Sequence, residues 1–304
     1  MKPTKIFRFR YLLTTGLSLE LKTNSPLIGK AVKEFLFTKT LRRLNYPAIK
    51  LACMWNEQGK RFEIVKRDGK KAFAKNPLAL LPVIDDEARW GILTHLPKDF
   101  FPIHSSGIVR KSEAILFLGE SGAGKSNVLF EFVRKNYAGL SDELNFLDLG
   151  TFRIHAFCRS WIFKAPLGVP LGRKKITKLL ISRKFGKIRT KPLLHYYWPG
   201  ATFGKRALQK SFPLKTIFSL KSRNAKKPRS RPLSSVEIIR ELADNMYVFS
   251  FRKVFKSHFA ARYNRLFMKL VRQFPRFERK LGVYELKITR RTRFSDLIAK
   301  NKLM

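Results

Sequence analysis

The chain has few cysteines and no long apolar run. Its 304 residues include only Cys53 and Cys158. Two distant cysteines exclude a disulfide framework and a CxxC metal site, and their apolar neighbours favour buried, reduced thiols in a cytoplasmic protein. No apolar stretch approaches the roughly 18 residues that a membrane-spanning helix needs, so none is expected. The first 21 residues faintly resemble a signal peptide, but their alternating basic and apolar side chains favour a strand.

Acidic residues are scarce, with 21 Asp and Glu against 64 Lys and Arg, for a formal net charge of +43. The excess is uneven: residues 1–90 hold 19 basic and 8 acidic residues, residues 91–160 hold 8 and 7, and residues 161–304 hold 37 and 6. Such a field attracts nucleic acid, acidic proteins, anionic lipid headgroups and nucleotides. Because residues 91–160 are nearly neutral, we expect the basic half to capture a partner or substrate rather than ATP.

One glycine-rich stretch carries a specific motif. Residues 119–126 (GESGAGKS) fit the phosphate-binding pattern of Gly, four residues, Gly-Lys and Ser or Thr. The apolar run 114–118 before it predicts a buried strand, and helical spacing of apolar residues from Lys125 onward predicts a helix. Backbone N–H groups and a helix N-terminus then point at one place, where a triphosphate can bind. An ordinary glycine-rich turn is the alternative.

The loop supplies the candidate ligands of a nucleotide. Lys125 would reach the outer phosphates and Ser126 would ligate Mg²⁺. The candidate ATP-binding residues are Gly119, Glu120, Ser121, Gly122, Ala123, Gly124, Lys125, Ser126 and Asn127.

Two adjacent acids, Asp142 and Glu143, follow the helix after Gly139. On an extended segment, neighbouring side chains point to opposite faces. One carboxylate can then hold the metal, directly or through water, while the other faces an acceptor hydroxyl, and phosphoryl transfer needs both roles. The alternative is a helix C-cap at Gly139 followed by solvated acids.

These stretches together resemble the core of the HPr kinase/phosphorylase family. The chain shows His-Ser-Ser-Gly at 104–107, then the GESGAGKS loop, then the acids at 142 and 143. The family shows His-Ala-Ser-Gly, G[DE]SGxGKS and a paired Asp-Asp in the same order, on a P-loop fold of the phosphoenolpyruvate-carboxykinase type. The resemblance thus implies a P-loop kinase.

The resemblance also implies roles for single residues. Lys125 and Ser126 keep their phosphate and Mg²⁺ roles, and Asp142 is the base towards the acceptor hydroxyl. His104 stands where the family has a histidine near the transferred phosphate. Glu143 takes the position of the second Asp as the candidate metal residue, keeping the charge and adding a methylene.

Outside this core the chain departs from true HPr kinases. Their downstream signature, a Gly-rich stretch with Glu and Asn, is not visible after Leu149. The rest is similar in outline to shorter relatives that phosphorylate serine on small molecules or peptides, including the lasso-peptide tailoring kinases. Residues 212–220 and 232–234 resemble their late strand and the start of the helix after it. HPr itself is therefore a poor candidate substrate.

Patterns elsewhere predict the organisation of the chain. We expect a small α+β domain without a catalytic cluster at 1–95 and the kinase domain, with basic C-terminal helices, at 96–304. Further predictions are strands at 7–13, 17–21, 48–54, 61–66, 151–157 and 283–289, a helix after Asn24-Ser25-Pro26, a capping box at 234–237 opening a helix to about Met246, an amphipathic basic helix at 251–274, and a solvated loop at 221–232. Residues 173–191 fit an exposed helix or a loop that orders on substrate. His155 and His195, in apolar or aromatic surroundings, are expected to be packing residues.

The expected fold class is α/β, α+β overall, with an HPr-kinase-like P-loop core. The leading function is an ATP- and Mg²⁺-dependent kinase acting on a hydroxyl, with serine favoured, of a peptide, protein or small molecule. An acidic partner and a homo-oligomer remain open, and nucleic acid is disfavoured. One alternative is a nucleotide-binding or ATPase module that engages nucleic acid or another acidic partner through the basic half. Another is a degenerate member that binds nucleotide and regulates a partner without turnover.

Overall fold

The computed structural model describes residues 5–14, 17–35, 48–66, 68–75, 77–135, 137–157, 161–164, 194–197, 210–221, 227–247, 257–287 and 293–300. The chain divides into two compact units. The first unit comprises Met1–Leu96 and Cys158–Thr202, and the second comprises Pro97–Phe157 and Phe203–Met304. Helices and mixed sheets occur in the described chain, so its class is α+β.

The described elements are as follows in chain order. The strands are β1 (Phe7–Thr14), β2 (Leu17–Thr23), β3 (Ala48–Asn56), β4 (Arg61–Val65), β5 (Lys71–Ala74), β6 (Phe100–His104), β7 (Ser106–Arg110), β8 (Glu113–Leu118), β9 (Ala138–Gly139), β10 (Leu144–Asp148), β11 (Arg153–Ala156), β12 (Trp161–Lys164), β13 (Leu194–Tyr197), β14 (Ser211–Lys221), β15 (Arg229–Pro232) and β16 (Gly282–Lys287). The helices are α1 (Pro26–Phe35), α2 (Leu81–His95), α3 (Lys125–Arg134), α4 (Ser235–Asp244), α5 (Ser257–Glu278) and α6 (Phe294–Lys300), with a 3-10 turn at Pro77–Leu80.

The first unit is built on a five-stranded sheet in the order β1-β2-β3-β4-β5. β2 and β3 are parallel, and the other neighbours are antiparallel. Helix α1 packs closely on this sheet, since a Cβ at Gly29 would meet the ring of Phe9 at 2.1 Å. The buried Tyr11 hydroxyl donates to the carbonyl of Gly29 at 2.6 Å, and burial raises its pKa. Strand β12 pairs antiparallel with β13.

The second unit is built on a nine-stranded mixed sheet. Its path is β6-β10-β11-β14-β8-β7-β9, with β16 beside β14 and β15 beside β16. Strands β8, β14 and β16 run parallel, so their carboxyl ends meet at one edge. The ring of Phe117 in β8 stacks against Phe132 of α3 at 5.7 Å and against Phe218 of β14 at 5.8 Å. This aromatic core fixes α3 on the strand that leads into the glycine loop.

Most of the predicted elements are confirmed, including the strands of residues 1–66 and the strand 114–118 followed by a helix at Lys125. The capping box is also present, because the Ser234 side chain accepts from the N–H of Glu237 and the Glu237 side chain accepts from the N–H of Ser234. Helix α5 covers the described part of the predicted 251–274 helix. Residues 251–256 and 173–191, Cys158 and the side chain of His195 lie outside the described residues.

The predicted loop at 221–232 is wrong in part. β14 continues through Lys221, and Arg229–Pro232 forms β15, antiparallel to β16. The segment lacks the apolar alternation that is typical of a strand, and ion pairs accompany its sheet pairing instead. The Arg231 guanidinium donates to Glu285 at 3.2 Å and to Glu237 at 2.8 Å. Helix α6 has no counterpart among the predicted elements.

Helix α5 is amphipathic. The side chains of Tyr263, Leu266, Leu270 and Phe274 are buried, while Arg265 and Arg272 are exposed. The ammonium group of Lys269 donates to the carboxylate of Asp99. None of the described helices has both the length and the apolar content that crossing a membrane requires.

Candidate functional site

The glycine loop needs glycine at several positions. Gly119, Gly122 and Gly124 have φ values of 137°, 89° and 99°, which L side chains rarely adopt. At Gly119 a Cβ would also lie 2.6 Å from the carbonyl oxygen of Leu220 in β14. Gly124 is the N-cap of α3, so the loop turns directly into that helix. The predicted order of strand, glycine loop and helix is therefore present.

Lys125 is buried at the end of this loop, with only 7% of its surface exposed. Its Nζ donates to the carbonyl oxygens of Gly119 at 2.5 Å and of Glu120 at 3.2 Å. Burial lowers the pKa of Lys125 to about 8, against the opposing effect of the charges on Glu143 and Glu120. A group with these contacts can exchange carbonyl oxygens for phosphate oxygens, which compensate its charge better.

Ser106 ties the first turn of α3 to the sheet. Its fully buried hydroxyl donates to the carbonyl of Lys125 at 2.8 Å. The same serine begins β7, the strand beside β8. The backbone of Lys125 is therefore held by the strand next to the one that enters the loop.

The two acids lie in a bend immediately before β10, so the predicted extended geometry at Asp142 and Glu143 is wrong. The bend forms because the Ser141 hydroxyl accepts the N–H groups of Glu143 at 3.4 Å and Leu144 at 3.1 Å. Asp142 is 5% exposed, whereas Glu143 is half-buried. The two carboxylates nevertheless have different surroundings.

Hydrogen bonds join the acid segment to the strands before the loop. Ser105 N–H donates to the carbonyl of Glu143 at 3.1 Å, and Gly107 N–H donates to the carbonyl of Ser141 at 3.1 Å. The buried Asn145 amide donates to Ser105 at its carbonyl and its hydroxyl, at 2.9 and 3.0 Å. These contacts place the 104–107 run alongside the acids.

His104 lies on the Glu143 side of the site. Antiparallel pairing of β6 with β10 sets His104 opposite Leu144, the residue after Glu143. The half-buried His104 ring meets the ring of Tyr247 edge to face at 5.9 Å. The Tyr247 hydroxyl donates to the Glu143 carboxylate at 3.3 Å. Histidine, tyrosine and glutamate thus form one cluster.

Three residues that organise this site are absent from the sequence predictions, namely Asn145, Asn245 and Tyr247, and Ser106 is named there only as part of the 104–107 run, without a role. Asn245 is the most distant in sequence, and its side-chain oxygen accepts the N–H of Gly119 at 3.0 Å. The serine-glycine pair that begins β7 is the signal that points to Ser106. For Asn245 and Tyr247 the sequence carries only the end of a predicted helix, which specifies no partner.

The oxygen donors near the loop suit Mg²⁺. Ser126 and Asn127 lie half-buried in the first turn of α3. In the described parts of the chain, no group of three or more His, Cys, Asp or Glu residues could hold a metal. Mg²⁺ at a nucleotide site needs fewer protein ligands, since phosphates and water supply most of the coordination. A Ser126 hydroxyl and a Glu143 carboxylate fit that pattern.

Two other residues with reactive side chains have packing roles. The buried His155 ring lies 4.7 Å from the ring of Phe100, and burial lowers its pKa. Burial raises the pKa of the Cys53 thiol to about 12, which keeps it protonated at neutral pH. The burial of His155 matches its predicted packing role, and the burial of Cys53 matches the predicted buried thiol.

No protein-family model matches the sequence. No curated protein matches it either.

Proposed function

We propose that this chain is an ATP- and Mg²⁺-dependent kinase with an HPr-kinase-like P-loop core. It transfers the γ-phosphoryl group to a hydroxyl, with serine the favoured acceptor, of a peptide, protein or small molecule. The resemblance of residues 104–107, 119–126 and 142–143 to the HPr kinase/phosphorylase family supports this proposal.

One observation carries the proposal: Lys125 is buried at a strand–glycine loop–helix junction, and hydrogen bonds join this junction to the segment that carries Asp142 and Glu143. Phosphoryl transfer requires a cation at the outer phosphates, a metal-holding acid and an acid towards the acceptor. These groups come from segments that hydrogen bonds join, through Ser105, Ser106 and Gly107.

In this mechanism the loop N–H groups and Lys125 bind the outer phosphates, so Lys125 leaves the carbonyls of Gly119 and Glu120. Ser126 and Glu143 would hold Mg²⁺, which would supply positive charge against the phosphates. The acceptor oxygen forms a bond to the γ-phosphorus as the bond to the β-phosphate oxygen breaks, and ADP leaves. The acceptor proton passes to the carboxylate of Asp142, while His104 lies near the transferred group.

A second candidate function is an ATPase that grips nucleic acid or another acidic partner. The exposed face of α5 favours it, because Arg265, Arg272 and Arg276 share one side of that helix. The formal net charge of +43 points the same way.

Labelled ATP separates the two functions. Purified protein is incubated with γ-labelled ATP and Mg²⁺, together with a panel of serine peptides and hydroxyl-bearing metabolites or with RNA and DNA. The kinase proposal expects label on one class of acceptor. Hydrolysis that nucleic acid stimulates, with no labelled acceptor and with binding that weakens linearly on a log–log plot against salt, would replace it with the ATPase function.

A further inference from the structure

We infer that Asn245 is a positioning residue for the phosphate loop, and that Tyr247 positions the acid Glu143 in the same way. The inference rests on the proposed nucleotide site and deepens it. Both residues belong to the turn after helix α4, more than a hundred residues from the loop in sequence.

The backbone of this turn is fixed first. The backbone carbonyl of Asn245 accepts the N–H of His104 at 2.7 Å, and the N–H of Tyr247 donates to the carbonyl of Pro102 at 3.1 Å. Between them, Met246 forms an antiparallel bridge with Ile103. The turn therefore pairs alongside strand β6, which fixes the backbone from which its side chains extend.

The Asn245 amide then spans two elements. Its oxygen accepts the N–H of Gly119 at 3.0 Å, and its nitrogen donates to the carbonyl of Glu241 in the last turn of α4 at 2.8 Å. The amide side chain supplies both the acceptor and the donor that this arrangement uses. Since Asn245 is only 8% exposed, water cannot readily replace these bonds.

Gly119 is held on two sides as a result. The Leu220 carbonyl leaves no space for a side chain at Gly119, and Asn245 binds its N–H. The carbonyl of Gly119 is in turn the closer acceptor of the Lys125 ammonium. Asn245 thus acts on the loop through Gly119, at the point from which Lys125 must reach the phosphates.

Tyr247 acts at the other side of the site. It is 2% exposed, its ring contacts His104, and its hydroxyl donates to Glu143. A bond from a hydroxyl to a carboxylate fixes the rotamer of a side chain that is one methylene longer than Asp. The turn therefore orders the loop with one side chain and the metal-facing acid with another.

The test compares Asn245→Ala with Asn264→Ala, an exposed asparagine on α5 that serves as the matched control. Affinity for a non-hydrolysable ATP analogue with Mg²⁺ is measured in the native and in the Lys125→Ala background. Loss of one buried hydrogen bond is expected to weaken binding about fivefold to tenfold in the native background. Because Asn245 acts partly through Lys125, the loss should shrink to about two- to threefold in the second background. Asn264→Ala should change neither affinity.

A measurement without nucleotide keeps the inference independent of turnover. Hydrogen exchange in the segment containing Gly119 should accelerate in Asn245→Ala. It should stay near native in Asn245→Asp, which retains an acceptor oxygen. A merely structural role predicts equal affinity losses in both Lys125 backgrounds and no selective exchange at the loop, and that result would overturn the inference.

Tyr247→Phe keeps the ring and removes the hydroxyl. We expect a threefold or so rise in the Mg²⁺ concentration needed for half-maximal analogue binding, with little change when Mg²⁺ saturates. An unchanged Mg²⁺ requirement would contradict the role of Tyr247. If the native protein binds no nucleotide, the proposed function fails and this inference with it; if it binds and these variants match it, only the inference fails.

Discussion

The two units bury polar side chains in different ways. In the first unit, Glu20 pairs with Arg10 of the neighbouring strand at 3.1 Å, and Asp85 pairs with Arg89 one helical turn away at 3.3 Å. In the second unit, some of the buried polar side chains bond across long sequence separations, as Asn245 does to Gly119 and Asn145 does to Ser105. These pairs stabilise one helix or two neighbouring strands of a hairpin. Hydrogen bonds between distant segments instead fix the glycine loop relative to the rest of the second unit, and a catalytic or binding site requires such fixed positions.

Lys125→Ala is expected to have the largest effect on phosphoryl transfer. It removes the side-chain cation at the proposed outer phosphates, so transfer should fall by at least about a hundredfold, measured with labelled ATP. The control is Lys30→Ala, an exposed lysine on α1 of the first unit, which should leave transfer unchanged. Wild-type turnover in Lys125→Ala, with the fold retained by circular dichroism, would refute the site.

The paired acids should separate by role. Asp142→Asn should suppress transfer and leave Mg·nucleotide affinity nearly intact, because only the proton acceptor is lost. Glu143→Gln should instead weaken the dependence of nucleotide binding on Mg²⁺. Calorimetric titration at several Mg²⁺ concentrations gives both quantities. Equal effects of the two changes on nucleotide affinity would refute the division of labour.

The depressed pKa of Lys125 predicts a pH dependence. Phosphate favours the charged ammonium, so the pKa should rise on binding and affinity should fall above about pH 8, approaching tenfold per pH unit. Without nucleotide the sign is opposite: the unfolded chain binds more protons between pH 8 and 10.5, so the contribution of Lys125 to stability rises over that window and is lost as pH falls towards 8. Affinities and melting temperatures are measured from pH 7 to 10 in the native protein and in Lys125→Ala, and the difference between the two proteins isolates the contribution of Lys125. Native affinity that is constant across this range would contradict the assignment.

The smallest effect on transfer is expected in the first unit. Asp85→Asn breaks a buried pair with Arg89 and should lower the free energy of unfolding by about 1–3 kcal/mol. Transfer by the folded protein should not change. Urea titration measures the first quantity and the labelled assay the second. A loss of activity without a loss of stability would show that the first unit also takes part in the chemistry.

The contiguous parts of the site could be predicted from the sequence. The loop at 119–126 and the helix after it are encoded in neighbouring residues, so pattern and spacing suffice. Asn245 could not be predicted, because a distant turn brings it to the loop, and the role of Ser106 could not be predicted, because it depends on the pairing of β7 with β8. The bend at Asp142 was missed because it depends on a side-chain bond from Ser141 to the backbone. Strand β15 was missed because its pairing is accompanied by the ion pairs of Arg231.

The proposal that the polar network of the second unit is an ATP site can be tested by hydrogen exchange. Exchange is measured in the free protein and in the presence of Mg²⁺ and a non-hydrolysable ATP analogue. If ATP binds there, exchange should slow at residues 119–127 and 141–145 and should not change in strands β1–β5 of the first unit. Protection that falls on the first unit, or no protection at the loop at saturating nucleotide, would contradict it.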